Sequence, residues 1–385
     1  MIPYGKQDIN QFDIDAVVEV LKSDFLTQGP KVAEFEDAVA RAVDAQFAIA
    51  VNSATSALHI ACLALGVKKG DLVWTSPITF VASANCALYC DAEIDFVDVE
   101  PTTGNLCAQA FKNKLEHAKL LGRLPKVVIP VHLAGHSCDM QRISELAKQY
   151  QVKIIEDASH AIGGHFQGNK IGSCHFSDIT VFSFHPVKVI TTAEGGMLTT
   201  QDSELAATLN LLRSHGITRE LSQLTRPNEG DWYYEQHILG FNYRMSDLQA
   251  ALGLSQIKRL ESFVERRNQF AKYYEKVLKN LNIEFIKPLE NCRSAYHLFI
   301  IRLPEDKDRK SIFNLMRQAG IGVHVHYFPV YLQPFYIKKG YFSGYCPGAE
   351  NYYANCLTIP IFTQMKEKEQ DFILKKLHDI IFDIN

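Results

Sequence analysis

The sequence predicts an α/β protein of two domains, and its length, its composition and an alternation of apolar runs with helical patterns each support this. The chain has 385 residues, more than the ~250–300 at which a single hydrophobic core stops growing. Hydrophobic residues make up 47% and charged residues 22%, which are ordinary values for a folded globular protein. Lys and Arg number 40 against 43 Asp and Glu, so the chain lacks the basic excess of a nucleic-acid-binding protein.

Strands and helices alternate over the first two-thirds of the chain, which is typical of a mostly parallel sheet covered on both faces. Short apolar runs predict the strands, at residues 47–52, 72–75, 94–97, 126–131, 152–156, 179–184 and 197–200. Helical patterns lie between several of these runs, at residues 53–65, 80–89 and 140–150. We expect Asp139 to cap the last of these helices at its N-terminus.

The composition changes after about residue 243, and this change predicts the boundary between the domains. Apolar residues at helical spacing between 245 and 281 indicate one or two long amphipathic helices that link the two domains. Beyond them, residues 297–303 and 322–330 are β-rich, whereas residues 311–320 and 366–381 have helical patterns. We therefore predict a large domain at residues 1–253 and a smaller C-terminal α/β domain at residues 254–385.

Several classes of protein are disfavoured by features that the sequence lacks. The N-terminus has no basic segment followed by an apolar run, so no signal peptide is predicted. No run approaches the ~18 apolar residues of a transmembrane helix, so no membrane association is expected. The 9 cysteines are scattered without a CxxC pair, which argues against a disulfide framework or a zinc ribbon. A cytoplasmic protein with reduced cysteines is the consistent expectation.

Two polar motifs stand where predicted strands end. Asn52–Ala57 joins a strand to a helix, where backbone N–H groups and hydroxyls can bind an anion, although simple helix capping would also explain them. Glu156 and Asp157 close another strand, which places a carboxylate at the edge of the sheet where open α/β sheets bind ligands. An Asp that caps the next turn is the structural alternative.

A lysine and two adjacent glycines complete the set of candidate ligand-binding features. Lys188 follows an apolar strand, and burial there would lower its pKa and free its amine for Schiff-base chemistry; a solvated loop lysine is the alternative. Gly195 and Gly196 permit a tight turn next to a ligand or in a plain hairpin. An anion site, an edge carboxylate and a lysine in this order suit pyridoxal phosphate, which needs all three.

The chain resembles the pyridoxal-phosphate-dependent sugar-nucleotide aminotransferases of the DegT type. The resemblance runs nearly from end to end and is carried by LTQGP at 26–30, NSATSAL at 52–58, TFVASANC at 79–86, PVHLAGHSCDM at 130–140, IIEDASHAIG at 154–163, FSFHPVK at 182–188, TTAEGGM at 191–197, GFNYRMSDLQAALG at 240–253 and VHYFPVY at 325–331. It implies fold type I of the pyridoxal-phosphate-dependent transferases, the aspartate-aminotransferase-like fold. Many members carry Gln at the place of His160, and a bulkier aromatic residue before Pro-Thr-Lys where this chain has His185 before Pro-Val-Lys.

The resemblance assigns catalytic roles to three residues. It implies that Lys188 holds the cofactor through a Schiff base and then moves a proton as general acid and base. Asp157 would pair with the protonated pyridine nitrogen, and His160 would lie beside the cofactor or its 3-oxygen. Phe80 would stack on the cofactor ring.

The same resemblance implies how the cofactor phosphate and the substrates are held. Thr55, Ser56 and Ser183 would bind the phosphate, and Asn242 would reach the cofactor phosphate of a neighbouring subunit, which implies a homodimer with shared active sites. The substrates would be a nucleotide-linked keto sugar and L-glutamate. Residues at the positions where the family contacts substrate are Tyr4, Asp24, Phe25, Leu26, Thr27, Ala54, Ser183, Asn242, His326 and Tyr327.

Other interpretations remain open. Amination of a different keto sugar, at C3 or C4, is the nearest alternative, whereas the dehydrase branch of the family replaces the lysine that this chain retains as Lys188. A regulator that binds the cofactor without turnover would carry a basic DNA-binding extension, which is not visible. The histidine pairs His132/His136 and His324/His326 have spacings that suit metal ligands, but neither has an evident third ligand, so no metal is expected.

Overall fold

The computed structural model describes residues 1–382, and its strands and helices follow the predicted alternation closely. The strands, in chain order, are β1 Phe47–Val51, β2 Leu72–Thr75, β3 Glu93–Phe96, β4 Val127–Ile129, β5 Lys153–Asp157, β6 His165–Phe166, β7 Asn169–Lys170, β8 Ile179–Ser183, β9 Gly196–Thr200, β10 Ile217–Thr218, β11 Glu235–Gln236, β12 Glu284–Phe285, β13 Cys292–Arg293, β14 Phe299–Arg302 and β15 Cys356–Ile359.

The α-helices lie between and after these strands. In chain order they are α1 Gln11–Leu21, α2 Pro30–Val43, α3 Ala54–Ala64, α4 Ala82–Tyr89, α5 Ala108–Leu120, α6 Met140–Tyr150, α7 Ser203–Arg213, α8 Asp247–Ile257, α9 Leu260–Asn280, α10 Arg309–Gln318, α11 Pro334–Ile337, α12 Pro347–Asn355 and α13 Glu367–Phe382. Asp139 caps α6 as expected, because its side chain accepts a hydrogen bond from the Arg142 N–H. Within residues 1–382, no helix is long and apolar enough to cross a bilayer.

A seven-stranded sheet in the order β1-β9-β8-β5-β4-β2-β3 forms the centre of the described chain. Strands β8, β5, β4, β2 and β3 are parallel neighbours, whereas β9 runs antiparallel to both β8 and β1. The prediction of a mostly parallel sheet is confirmed. Strand β9 runs antiparallel to β8, and residues 184–195, which include Lys188, form the loop that joins them.

Both faces of this sheet are covered, as the continuous apolar strands predict. Val73 and Ile155 pack into the cluster that contains α3 and α4, whereas their neighbours Trp74 and Ile154 pack with Phe111 of α5 on the other face. Because successive strand side chains point to opposite faces, a strand that is apolar at every position needs two covering layers.

The linking region consists of two helices, α8 and α9, followed by a second, antiparallel sheet in the order β12-β14-β15. Residues of α9, α10 and α13 share one hydrophobic cluster with this sheet. The chain start also lies here, because the Gly322 N–H donates to the Ile2 carbonyl and the Ile361 N–H donates to the Tyr4 carbonyl. The division of the chain at residue 253 stays a prediction.

One predicted β segment is absent from the described chain. Residues 322–330 contain only an isolated bridge between His324 and Thr358, so the prediction that this segment is β-rich is wrong. The backbone leaves the sheet after His324, and farther along the Val330 N–H donates to the Pro77 carbonyl.

Replacement of Gly196 by alanine should destabilise the protein, because a Cβ there would lie 2.6 Å from the backbone of Ser53 and Ala54 at the start of α3. Overpacking of this kind costs about 1–3 kcal/mol, and we expect a melting temperature several degrees lower by scanning calorimetry. Gly5→Ala is the matched control, since its Cβ would make only an ordinary contact of 3.8 Å with Val187. Equal melting temperatures of the two variants would contradict the close approach at Gly196.

Candidate active site

A cavity of about 420 Å³ lies at the carboxyl edge of the central sheet. Asp157 at the end of β5 and Ser183 at the end of β8 line it, together with Thr55 at the start of α3 and Lys188 in the loop between β8 and β9. Open α/β sheets bind their ligands at this edge, where loops diverge and helix N-termini converge. The predicted anion site, the edge carboxylate and the lysine are therefore brought together around one cavity.

The Asp157 carboxylate is held in place by two serines and is only 5% exposed. Its Oδ2 accepts a hydrogen bond from Ser83 Oγ at 2.6 Å, and its Oδ1 accepts from Ser159 Oγ at 2.6 Å and from the Ser159 N–H at 3.1 Å. A carboxylate has about four lone-pair positions, so capacity remains for a cationic N–H in the cavity. A protonated pyridine nitrogen is such a group.

The Lys188 amine is the one cationic side chain on the cavity wall, and among residues 1–382 it has neither a hydrogen bond nor an ion pair. Burial lowers its pKa from the ordinary value of 10.5 to about 8, and the nearby Asp157 charge opposes that shift. More of this amine is therefore uncharged near neutral pH than in an ordinary lysine. The uncharged amine is the form that attacks a carbonyl carbon.

His160 is a buried, neutral imidazole with a defined tautomer. Its pKa lies well below the usual range because of burial and of the Lys188 and His326 charges. Nδ1 accepts the Ala134 N–H at 3.3 Å, so the proton belongs on Nε2, which donates to the Tyr327 hydroxyl at 3.3 Å. His160 and Tyr327 are therefore linked across the cavity wall.

The start of α3 supplies an anion site, but Ser56 does not face it. Ser53 caps the helix by accepting the Ser56 N–H at 3.1 Å, and the Ser56 hydroxyl donates to Asn52 Oδ1 at 2.7 Å. Ala54 and Thr55 line the cavity and carry the first amides of the helix, which have no partner within it. Ser56 therefore supports the helix start from behind the cavity.

The structure brings most of the predicted site residues to the cavity. Those that line it are Tyr4, Ala54, Thr55, Phe80, Asp157, His160, Ser183, Lys188, His326 and Tyr327. Phe80 is 62% exposed, which leaves one aromatic face free to cover a planar ring. The predicted residues that do not line the cavity are Ser56, Asp24, Phe25, Leu26, Thr27 and Asn242.

Apart from Ser56, the predicted residues that do not line the cavity are exposed at the surface. Residues 24–27 follow α1, and the Leu26 carbonyl accepts the Asp247 N–H at 3.0 Å. Asn242 is exposed in a segment that bridges to Ser214. A contribution from these residues to a site would therefore be made to another subunit, as the resemblance implies for Asn242.

The cavity residues that the sequence analysis missed include Ser83, Ser159 and His297. Ser83 and Ser159 lie within quoted motifs, and the spacing of Ser159 two residues after Asp157 is a common side-chain turn that could have been recognised. His297 opens an apolar run and carries no local signal. Its ring centroid lies 4.5 Å from that of His160.

The remaining histidine motif is structural. His132 Nδ1 accepts the Cys138 N–H at 3.1 Å, so its Nε2 donates to Glu156 Oε2 at 2.7 Å in a fully buried pair. His136 has no hydrogen-bond partner for either ring nitrogen within the described chain. No cluster of three or more His, Cys, Asp or Glu side chains suited to a metal occurs in residues 1–382.

A half-buried lysine with a lowered pKa, an edge carboxylate, an aromatic wall and a helix N-terminus together define a pyridoxal-phosphate-dependent enzyme of fold type I. The chain belongs to the DegT/DnrJ/EryC1/StrS aminotransferase family, whose sequence profile matches residues 7–378. It is 40% identical over 390 residues to the UDP-4-amino-4,6-dideoxy-N-acetyl-beta-L-altrosamine transaminase of Campylobacter jejuni, covering 99% of this chain and 98% of that one.

Solved structures agree with this assignment. Helicobacter pylori PseC, an aminotransferase involved in the biosynthesis of pseudoaminic acid, matches over 100% of both chains with a TM-score of 0.90 and 29% identity. The PLP-form of the putative sugar aminotransferase Spr1654 from Streptococcus pneumoniae matches over 99% of both chains, with a TM-score of 0.89 and 28% identity. The predicted fold type, cofactor and enzyme class are confirmed: the protein is a sugar-nucleotide aminotransferase that uses pyridoxal phosphate.

The pKa of Lys188 predicts how the cofactor-free protein reacts with an acylating reagent. Only the uncharged amine is acylated, so labelling of Lys188, followed by mass spectrometry, should rise with pH around a midpoint near 8. Asp157→Asn should move this midpoint to lower pH, because it removes the charge that favours the ammonium form.

Glu194→Gln is the matched control for this measurement, since Glu194 also lines the cavity but does not contribute to the Lys188 pKa. Its midpoint should equal that of the unmodified protein. A midpoint that stays unchanged in Asp157→Asn would show that the carboxylate does not act on the amine.

Proposed function

We propose that the protein transfers an amino group from L-glutamate to UDP-4-keto-6-deoxy-N-acetyl-altrosamine, which yields the 4-amino sugar. The observation that carries the proposal is the 40% identity, over nearly the whole of both chains, to a transaminase named for this product. The motifs EDASHA at 156–161 and SFHPVK at 183–188 also favour it, because they resemble the 4-aminotransferase of the pseudaminic acid pathway more than other family members.

The chemistry at the reacting carbon falls to Lys188 and Asp157. Pyridoxal phosphate supplies an electron sink that lets a proton leave the carbon that bears the amine. Lys188 Nζ, with its pKa near 8, can hold that proton and return it on the other side of the transfer. Asp157, fixed by Ser83 and Ser159, would keep the pyridine nitrogen protonated, because a neighbouring carboxylate favours the cationic form.

The sugar nucleotide would enter over Tyr4 and the segment that carries His326 and Tyr327. The Tyr4 ring lies 5.4 Å from the rings of both His324 and His326, so these three rings form one aromatic surface beside the cavity. The His326 ring is fixed by a 2.8 Å hydrogen bond between its Nδ1 and the Thr358 hydroxyl. Such a surface suits a flat base or a sugar ring.

We also propose a homodimer in which Asn242 completes the neighbour's phosphate site. Asn242 is exposed and does not line the cavity of its own chain, which supports a role across an interface. Phe12, Phe25 and Leu26 are large apolar side chains that are 78%, 54% and 46% exposed, as expected of surfaces that a partner covers. A cytoplasmic location stays a prediction.

A half-reaction screen tests the substrate. The pyridoxamine phosphate form of the enzyme would be mixed with UDP-, GDP- and dTDP-linked 4-keto sugars, and we expect the absorbance of the aldehyde form to return with UDP-4-keto-6-deoxy-N-acetyl-altrosamine. Lys188→Ala should bind the cofactor but fail to turn over, whereas Lys153→Ala, at an exposed lysine paired with Asp178, should behave as the parent. Faster return with another keto sugar would refute the proposed substrate.

Subunit mixing tests the shared site. Lys188→Ala and Asn242→Ala should each be impaired as homodimers, but a mixed dimer would contain one site with both native residues. Random mixing should therefore restore about a quarter of the parent activity. If Asn242 acts within its own chain, each site of the mixed dimer carries one substitution and mixing restores nothing.

A further inference from the structure

His297 is a buried histidine that lines the cavity and has no role in the mechanism above. It is 4% exposed, and its Nδ1 is buried without a hydrogen-bond partner in the described chain. A buried N–H without a hydrogen-bond partner is rarer in folded proteins than a buried acceptor without one. The unpaired Nδ1 is therefore the acceptor nitrogen, and the proton belongs on Nε2. Nε2 is the nitrogen left to face the cavity, where it is a neutral hydrogen-bond donor.

A buried cation lies against the backbone of His297. Arg267 of α9 is 1% exposed, and its Nη1 donates to the carbonyls of Tyr296, His297 and Ile361 at 3.2, 3.3 and 3.1 Å. Among residues 1–382 Arg267 forms no ion pair, although the Asp8 charge favours its cationic form. Its charge acts on His297 and favours negative charge near this part of the cavity wall.

The proposed amino donor, L-glutamate, requires a site that binds a carboxylate. L-glutamate must bring its amine to the reacting centre beside Lys188, and its α-carboxylate is attached to the same carbon. The cavity wall contains two carboxylates, Asp157 and Glu194, and no arginine. An incoming carboxylate therefore finds no arginine on this wall, and His297, with the Arg267 charge close to it, offers a hydrogen-bond donor in a positive local potential.

We propose that His297 Nε2–H binds the α-carboxylate of the amino donor, and that Arg267 supports this contact through its charge and its hold on the His297 backbone. The inference rests on the proposed use of L-glutamate. His297 is then a substrate-binding residue of the donor half-reaction, whereas Arg267 is a positioning residue. The keto-sugar half-reaction has no carboxylate at this carbon and does not need the contact.

The test compares the two half-reactions in holoenzyme variants. His297→Phe keeps a ring against His160 but removes the donor, and we expect the glutamate concentration for half-maximal rate to rise about ten- to a hundredfold, the range for one hydrogen bond to a charged group. Cofactor retention and the keto-sugar half-reaction should stay at the parent values. His297→Gln, which keeps an N–H donor, should recover part of the loss.

Binding of glutarate, which carries two carboxylates and no amine, provides a readout without turnover. Calorimetry should show weaker glutarate binding to His297→Phe, and parent-like binding to His136→Phe, a buried histidine outside the cavity. If His297→Phe does not fold, nitrogen-15 NMR of the parent protein decides, since glutarate should shift the Nε2–H signal of one buried histidine.

The outcomes separate the two proposals. Unchanged glutamate dependence and glutarate binding in His297→Phe would overturn the inference, and so would equal damage to both half-reactions or loss of cofactor. If the parent enzyme does not react with L-glutamate, the proposed donor is wrong. A difference in glutarate affinity between the parent and His297→Phe would then still establish a carboxylate site.

Discussion

The burial of the Lys188 amine opposite the Asp157 carboxylate is the constraint on which the rest of the site depends. A buried ammonium is unfavourable, and here burial lowers its pKa to about 8 even though Asp157 favours the charged form. The two groups can meet only if β5 ends at Asp157 and its neighbour in the sheet, β8, ends just before the loop that carries Lys188. Parallel pairing of β5 with β8 achieves this, because parallel strands end at the same edge.

The strand end at Asp157 is fixed by backbone hydrogen bonds to the segment that follows β4 and by the side chain of Glu156. The Asp157 N–H donates to the Pro130 carbonyl at 2.9 Å, and the His132 N–H donates to the Asp157 carbonyl at 3.0 Å. Glu156 points to the opposite face, where His132 Nε2 and the Ser177 hydroxyl donate to its carboxylate. The two adjacent acidic residues therefore have different roles, because successive strand side chains point to opposite faces. Glu156 connects the segments next to neighbouring strands, and Asp157 faces the cavity.

Sequence patterns predicted the parts of the structure that local chemistry determines. The strands at 72–75 and 179–184 and the cap at Asp139 were found because apolar runs and capping residues act over a few residues. Residues 322–330 were mispredicted because their backbone partners, such as Pro77, lie far away in sequence. Ser56 has the residue type of a phosphate ligand, but its hydroxyl is taken by Asn52, and such competition between neighbours is visible only in three dimensions.

The neutral histidines on the cavity wall follow from the same burial that lowers the Lys188 pKa. Burial, together with the Lys188 charge, holds the pKa values of His160, His297 and His326 well below the usual range. A transaminase of this class must accept an amino acid and a nucleotide-linked sugar in turn at one reacting centre. A permanently charged arginine on the wall would hold one anion tightly and slow the exchange. If His297 has the proposed role, a neutral N–H donor near a cation would bind the carboxylate more weakly than an arginine does, and the two substrates would then alternate at the same amine.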